Sequence, residues 1–185
     1  VVAVETNMSV TCSLRRATRD DAPLFVHWRA QPSVRRYQPI LQLGVDEMAA
    51  TLENREIDSL DSSFNGKVQW VIQADNQPAG WVSLTVVSRS HAVANAGYTI
   101  SEEFRGHRLA SRGLILACDI AFDPDQLAIE RIEANCTVTN LASAKTLEYA
   151  GFTREGIARG HLIIDGIRED HFRYGRLMTD PRPMP

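Results

Sequence analysis

Cysteine, lysine and long apolar runs are all scarce in this chain, and each shortage narrows what it can be. Its 185 residues hold three cysteines, Cys12, Cys118 and Cys136. None belongs to a Cys-x-x-Cys pair or meets a histidine at zinc-finger spacing. They read as small apolar residues in a reducing compartment, not as a disulfide frame or a metal site. Apolar runs such as Leu114 to Cys118 fall far short of the ~20 residues that cross a bilayer. Residues Val1 to Val10 have neither a basic start nor an apolar stretch, so no secretory signal is expected there. Only Lys67 and Lys145 are lysine, and 23 acidic against 20 basic residues give a net charge of −3. That balance argues against a nucleic-acid binder working by bulk charge. Repeats, low-complexity tracts and linkers are also missing. The composition, 44% hydrophobic and 23% charged, is that of a globular protein. The expectation is a single cytoplasmic domain over residues 1–185, with 1–10 and 178–185 as flexible tails, no metal and no membrane partner.

What is present alternates between two periods. Cys12 to Arg16 reads as a strand. Thr18 and Asp20 offer N-caps, with Pro23 in the first turn, for a helix carrying Leu24, Phe25 and Trp28. Val45, Met48, Ala49 and Leu52 predict a second helical region from Val45 to Ile57. Val68 to Ala74 and Trp81 to Val87 read as paired strands about a turn at Asn76 to Gly80, and Ala96 to Ser101 as a third strand. A helix from Ala110 to Phe122 follows, with Leu114, Ala117, Cys118 and Ala121 on one stripe. Arg131 to Val138 is a strand, Asn140 caps a helix that stops at Gly151, and Asp165-Gly166 turns a final hairpin. The order β-α-α-β-β-β-α-β-α-β-β describes an α+β fold: a mixed, mostly antiparallel sheet with helices on both faces.

Chemistry concentrates where a strand runs through a short loop into a helix, from Tyr98 to Ser111. The first amides of a helix have no internal partner and the helix dipole adds partial positive charge, so that mouth suits a diphosphate. Gly106 allows close backbone approach, the small Ala110 leaves room at the helix start, and Arg105, Arg108 and Arg112 add charge. The segment is neither a P-loop nor a three-glycine dinucleotide fingerprint; an ordinary surface loop opening a core helix has the same composition.

The segment resembles motif A of the GNAT acetyltransferases, Arg/Gln-x-x-Gly-x-Gly/Ala, with Arg105 first and Ala110 last. Arg108 replaces the middle glycine, either tightening phosphate contact through its side chain or crowding the loop. Asn140-Leu141-Ala142-Ser143, then Leu147, Gly151-Phe152 and Glu155-Gly156, is similar to the pattern of the branch of ribosomal-protein alanine N-acetyltransferases. Gly166, Asp170 and Tyr174 match that branch's last hairpin, and Trp70-Val71-Ile72, Gly80 and Trp81 its central one. The likeness runs from Leu14 to Leu177.

The resemblance implies a GNAT-like fold and an acetyl-CoA-dependent N-acetyltransferase acting on a primary amine, a protein N-terminus or a small molecule such as an antibiotic or polyamine. A non-catalytic acyl-CoA-binding module of the same fold is the alternative. Acetyl-CoA would lie against Tyr98, Thr99, Ile100, Arg105, Gly106, His107, Arg108, Leu109, Ala110, Ser111 and Asn140. Ser143, one turn after Asn140, would donate to the leaving thiolate. A tyrosine that many relatives use as the acid falls at Leu147 here, and Tyr149 lies on another face. For the base, Glu103, Glu133, His161 and ordered water remain open. Arg35-Arg36-Tyr37 falls where the family places its acceptor, although a solvated helix end reads the same way. His27 reads as packing or surface, His91 as a solvated loop residue and His171 as exposed. A DNA-binding helix over Ala142 to Phe152 would carry only Lys145 against Glu148, too little charge to read phosphates. Monomer and homodimer both stay open.

Overall fold

Alternating apolar residues around Trp70 and Val82 fold into the centre of the molecule. In the computed structural model, which describes residues 10–39, 42–55 and 60–184, β1 (Cys12–Arg16) pairs antiparallel with β2 (Lys67–Ala74), and β2 with β3 (Gln77–Ser88). The β2–β3 turn is Asp75-Asn76, with φ of 48° and 66°. It comes earlier than the expected Asn76 to Gly80, because Asp and Asn tolerate the left-handed region through local side-chain bonds. Gly80 serves a different purpose inside β3. A Cβ there would run into the Thr99 carbonyl oxygen, so the glycine lets the next strand close in.

That strand, β4 (Val93–Ile100), starts earlier than predicted. The chain continues through α4 (Leu109–Phe122), β5 (Arg131–Thr137), α5 (Leu141–Tyr149), β6 (Thr153–Ile164) and β7 (Ile167–Leu177). Before β2 come α1 (Ala22–Ala30), a short unforeseen α2 (Pro32–Arg35) and α3 (Val45–Glu53). The second helix was expected to reach Ile57, a residue outside those described. The sheet has seven strands in the order β1-β2-β3-β4-β5-β7-β6, antiparallel throughout except for β4 with β5. This is the mixed α+β sheet read from the sequence.

Both faces of the sheet are covered, as the alternation requires. Ile72 and Leu84 meet Leu114, Ala117 and Cys118 of α4, and Leu147 of α5, in one core. Val71 and Trp81, one residue out of phase, meet Phe25 and Trp28 of α1 and Met48 and Leu52 of α3 in the other. Each fully buried Leu or Ile is worth about 2–5 kcal/mol against truncation to Ala. Arg15 grips Asp21 through two hydrogen bonds of 2.8 and 2.6 Å, and Asp21 also accepts from the Thr18 amide, closing the entry to α1. Beyond β7, Arg182 makes a two-oxygen pair with Asp119 of α4 at 2.8–3.2 Å.

The one parallel pairing positions the site. β4 and β5 match only over Val93–Asn95 against Arg131–Glu133. Their later residues lead to different helices, α4 and α5, and a gap opens between the strands.

Candidate functional site

The gap is lined on one side by Tyr98, Thr99 and Ile100 of β4 and on the other by Asn140, Ala142 and Ser143 at the start of α5. The first turn of α4 closes one end, and Ser33 to Gln38 form a further wall. The cavity measures about 320 Å³. Ser143 and every residue anticipated to hold acetyl-CoA line it, except His107 and Ser111. His107 is exposed outside it. Ser111 is buried and its hydroxyl donates to the Arg108 carbonyl at 2.9 Å, so it finishes the helix turn instead of facing the gap.

Local geometry leaves the mouth of α4 open. Gly106 has φ of +89° and a Cβ there would meet no atom within 4 Å, so the loop presents open backbone. Arg108 is the N-cap and takes the left-handed conformation, φ 55° and ψ 18°. Glycine enters that region freely, whereas another residue loses roughly 1–2 kcal/mol. Helical bonding starts with the Arg112 amide, which donates to the Arg108 carbonyl at 3.0 Å. The amides of Leu109, Ala110 and Ser111 ahead of it are therefore the open first turn.

The arginines separate. The Arg108 guanidinium lies over the Tyr149 ring of α5 at 4.9 Å, spanning the two helices that border the cavity. Arg105 donates to Ser33 Oγ at 2.7 Å and, at the long limit of 3.4–3.5 Å, to the Ile100 carbonyl. Arg112, expected at the same mouth, reaches back to the Val10 carbonyl. Side chains of the α1–α2 corner join the β4–α4 loop as well. Gln31 donates to Ser101 Oγ and accepts from the Glu102 amide, and Ser33 bonds to Glu102. Gln38 extends its amide to the Tyr98 carbonyl and Thr99 Oγ1 at 3.4 and 3.3 Å.

On the α5 side, Asn140 Oδ1 accepts from the Ser143 amide at 3.1 Å, an N-cap that leaves the side-chain NH₂ available. Ser143 Oγ lies 2.7 Å from the phenol oxygen of Tyr98. Desolvation pushes the Tyr98 phenol far up, and it pushes the nearby Cys136 thiol up to about 11.

Glu103, Glu133 and His161 do not line the cavity. Glu103 accepts from Ser101 Oγ, and Glu133 is held by Arg131 and Arg173. His161 packs its ring against His171, centroids 5.2 Å apart. His171 corrects the expectation of exposure: it is 2% accessible. It lies on β7, and β7 is an interior strand between β5 and β6. His27 and His91 are exposed.

Sequence reasoning missed the wall formed by Ser33, Val34 and Gln38. The α2 helix has only four residues, too few to show a period. Tyr37 lines both this cavity and an adjoining hollow of about 530 Å³ bordered by Arg35, Arg36, Thr139, Asp165 and Glu169. Among the described residues no helix is long and apolar enough to cross a membrane.

Known proteins share this fold. The family model of the acetyltransferase (GNAT) domain matches residues 12–153. A probable N-acetyltransferase of Bacillus subtilis, YjcK, is 37% identical over 99 residues, 53% of this chain and 54% of the relative. The Escherichia coli [ribosomal protein uS5]-alanine N-acetyltransferase is 35% identical over 86 residues, 46% of this chain and 43% of that enzyme. The chain thus spans about half the length of these two relatives. A Vibrio cholerae spermidine N-acetyltransferase, solved with CoA and spermine, superposes with a TM-score of 0.79 at 21% identity, covering 91% of this chain and 96% of its own. A sheet that parts at its one parallel pairing, an open helix mouth beside the gap and a family match over most of the chain lead to one assignment: this chain belongs to the acetyltransferase (GNAT) domain family.

Proposed function

We propose that the chain moves the acetyl group of acetyl-CoA directly to a primary amine, within a complex holding both substrates. The observation that carries this reading is the parting of β4 from β5 beside the open first turn of α4. The amides of Leu109 and Ala110 and the open backbone at Gly106 hold the diphosphate, with the dipole of α4 contributing about 1 kcal/mol. Arg105 and Arg108 border that site; His107 and Ser111 act through their backbone alone. The backbone of Tyr98 to Ile100, beyond the end of the β4–β5 pairing, and the NH₂ of Asn140 align the pantetheine arm in the gap. Bound there, acetyl-CoA supplies a thioester whose carbonyl carbon takes the amine nitrogen as its bond to sulfur breaks.

Ser143 directs its hydroxyl hydrogen at the departing sulfur. The acylated nitrogen gives up one proton, the sulfur gains one and Ser143 regains its own from solvent, so an N-substituted acetamide and the free thiol are the products. Among the described residues no carboxylate or histidine lines the cavity, and solvent takes the amine proton. A terminal α-amine, with a pKa near 8, needs little help to lose it. The cysteines take no covalent part: Cys118 is fully buried and its thiol is pushed up to about 12.

The acceptor enters by the hollow at Arg35, Arg36 and Tyr37. A protein N-terminal α-amine is the substrate we favour, on the likeness to the uS5-alanine enzyme. The test assays CoA release with N-terminal peptides, polyamines and aminoglycosides side by side. Release with peptides supports the reading, and release with small amines alone moves the acceptor to that class. Saturable binding of acetyl-CoA without release for any amine would make the chain a binding module.

A further inference from the structure

Two hydroxyls from different elements meet inside the cavity, and their hydrogen-bond inventory has a consequence for the serine. Tyr98 Oη of β4 lies 2.7 Å from Ser143 Oγ and 3.2 Å from the Ser143 backbone carbonyl. Both residues line the gap between β4 and α5. A serine hydroxyl has one hydrogen and two lone pairs, and a phenol that stays protonated has one hydrogen to give. The phenol is desolvated and pushed up, so it keeps that hydrogen at neutral pH. The shorter of its two contacts, the one to Ser143 Oγ, takes that hydrogen, so the serine oxygen accepts. The serine's own hydrogen is then left for the open side, which is the cavity.

We propose that Tyr98 is the positioning residue of Ser143: its phenol, seated where β4 parts from β5, pins the serine hydroxyl so that the serine hydrogen faces the departing sulfur. This rests on the reading of Ser143 given above. Tyr98 acts here through its side chain, whereas its backbone belongs to the strand edge that lies along the pantetheine. The neighbouring Thr99 points to the other face, where its hydroxyl meets Gln38. The period of two along β4 therefore places the phenol on the α5 side. Without the phenol, Ser143 Oγ–H is free to turn back onto a neighbouring carbonyl and leave the sulfur unmet.

A double-mutant cycle with Tyr98→Phe and Ser143→Ala tests the proposal, reading kcat, KM and calorimetric affinity for acetyl-CoA together. Tyr98→Phe is expected to lower kcat about tenfold, since small misplacements at a reacting centre have effects of this order. Its acetyl-CoA affinity should stay within about twofold of wild type, and in the Ser143→Ala background it should have no further effect on kcat. Wild-type kcat in Tyr98→Phe alongside an impaired Ser143→Ala would overturn the positioning role and leave Ser143 in place. Full multiplication of the two losses would overturn it as well. Wild-type kcat in Ser143→Ala would remove the role of Ser143 and this proposal with it.

Discussion

The two sides of the proposed site are built in opposite ways. The cofactor side is nearly continuous in sequence: the end of β4, the loop and the first turn of α4 supply residues between 98 and 110, and Asn140 and Ser143 complete it. The acceptor side is assembled from the α1–α2 corner, Thr139 and the tip of the β6–β7 hairpin. The first depends on backbone amides that every helix start provides, so a few small residues suffice to open it. The second depends on side chains brought together by the sheet, and its charges are mixed: Arg35 and Arg36 face Asp165 and Glu169. A continuous backbone site suits the constant substrate of a family, and an assembled side-chain site suits the variable one.

Substitutions should separate the two sides. The largest effect belongs to Ala110→Trp, which puts a large ring into the cavity at the helix mouth. Overpacking of this kind costs about 1–3 kcal/mol, so acetyl-CoA affinity should fall by up to about a hundredfold in calorimetry. Fold stability should barely change, because Ala110 is only half-buried. Next comes Ser143→Ala, expected to lower turnover about tenfold to a hundredfold with acetyl-CoA affinity little changed. An unchanged kcat would take Ser143 out of the chemistry. Arg36→Ala, on the acceptor side, should move only the acceptor KM, by about threefold, as a rim charge does. A parallel shift in acetyl-CoA affinity would show that the sides are not independent.

Arg108→Gly has the smallest expected effect. Glycine relieves the left-handed strain, about 1–2 kcal/mol, and loses the contact with Tyr149, about 0.5–1 kcal/mol at an exposed site. The terms nearly cancel, so thermal unfolding should shift by only a few degrees. A collapse in stability would mean that the Arg108–Tyr149 bridge holds α4 and α5 together.

How far the sequence could be read follows the same division. Amphipathic stripes on α4 and alternation in β2, β3 and β5 are local patterns, and they were legible because their period of 3.6 or 2 mirrors burial. The helix mouth was legible for the same reason. The placement of the β2–β3 turn was not: Asn76 to Gly80 carries proline and glycine, yet Asp75-Asn76 turns and Gly80 serves the close approach of β4. A glycine kept for packing has the same appearance in sequence as one kept for a turn. His171 looked exposed because strand order is invisible locally, and only the insertion of β7 between β5 and β6 buries it. The meeting of Tyr98 with Ser143, 45 residues apart, likewise required the tertiary fold.

The central claim is that unpaired amides at the start of α4 hold the diphosphate of acetyl-CoA. Calorimetric titration with CoA and, in parallel, with pantetheine, which lacks the diphosphate, tests it most directly. Saturable binding of CoA with pantetheine weaker by at least about a hundredfold is the predicted result. No saturable heat with CoA, or pantetheine binding as tightly as CoA, would contradict it.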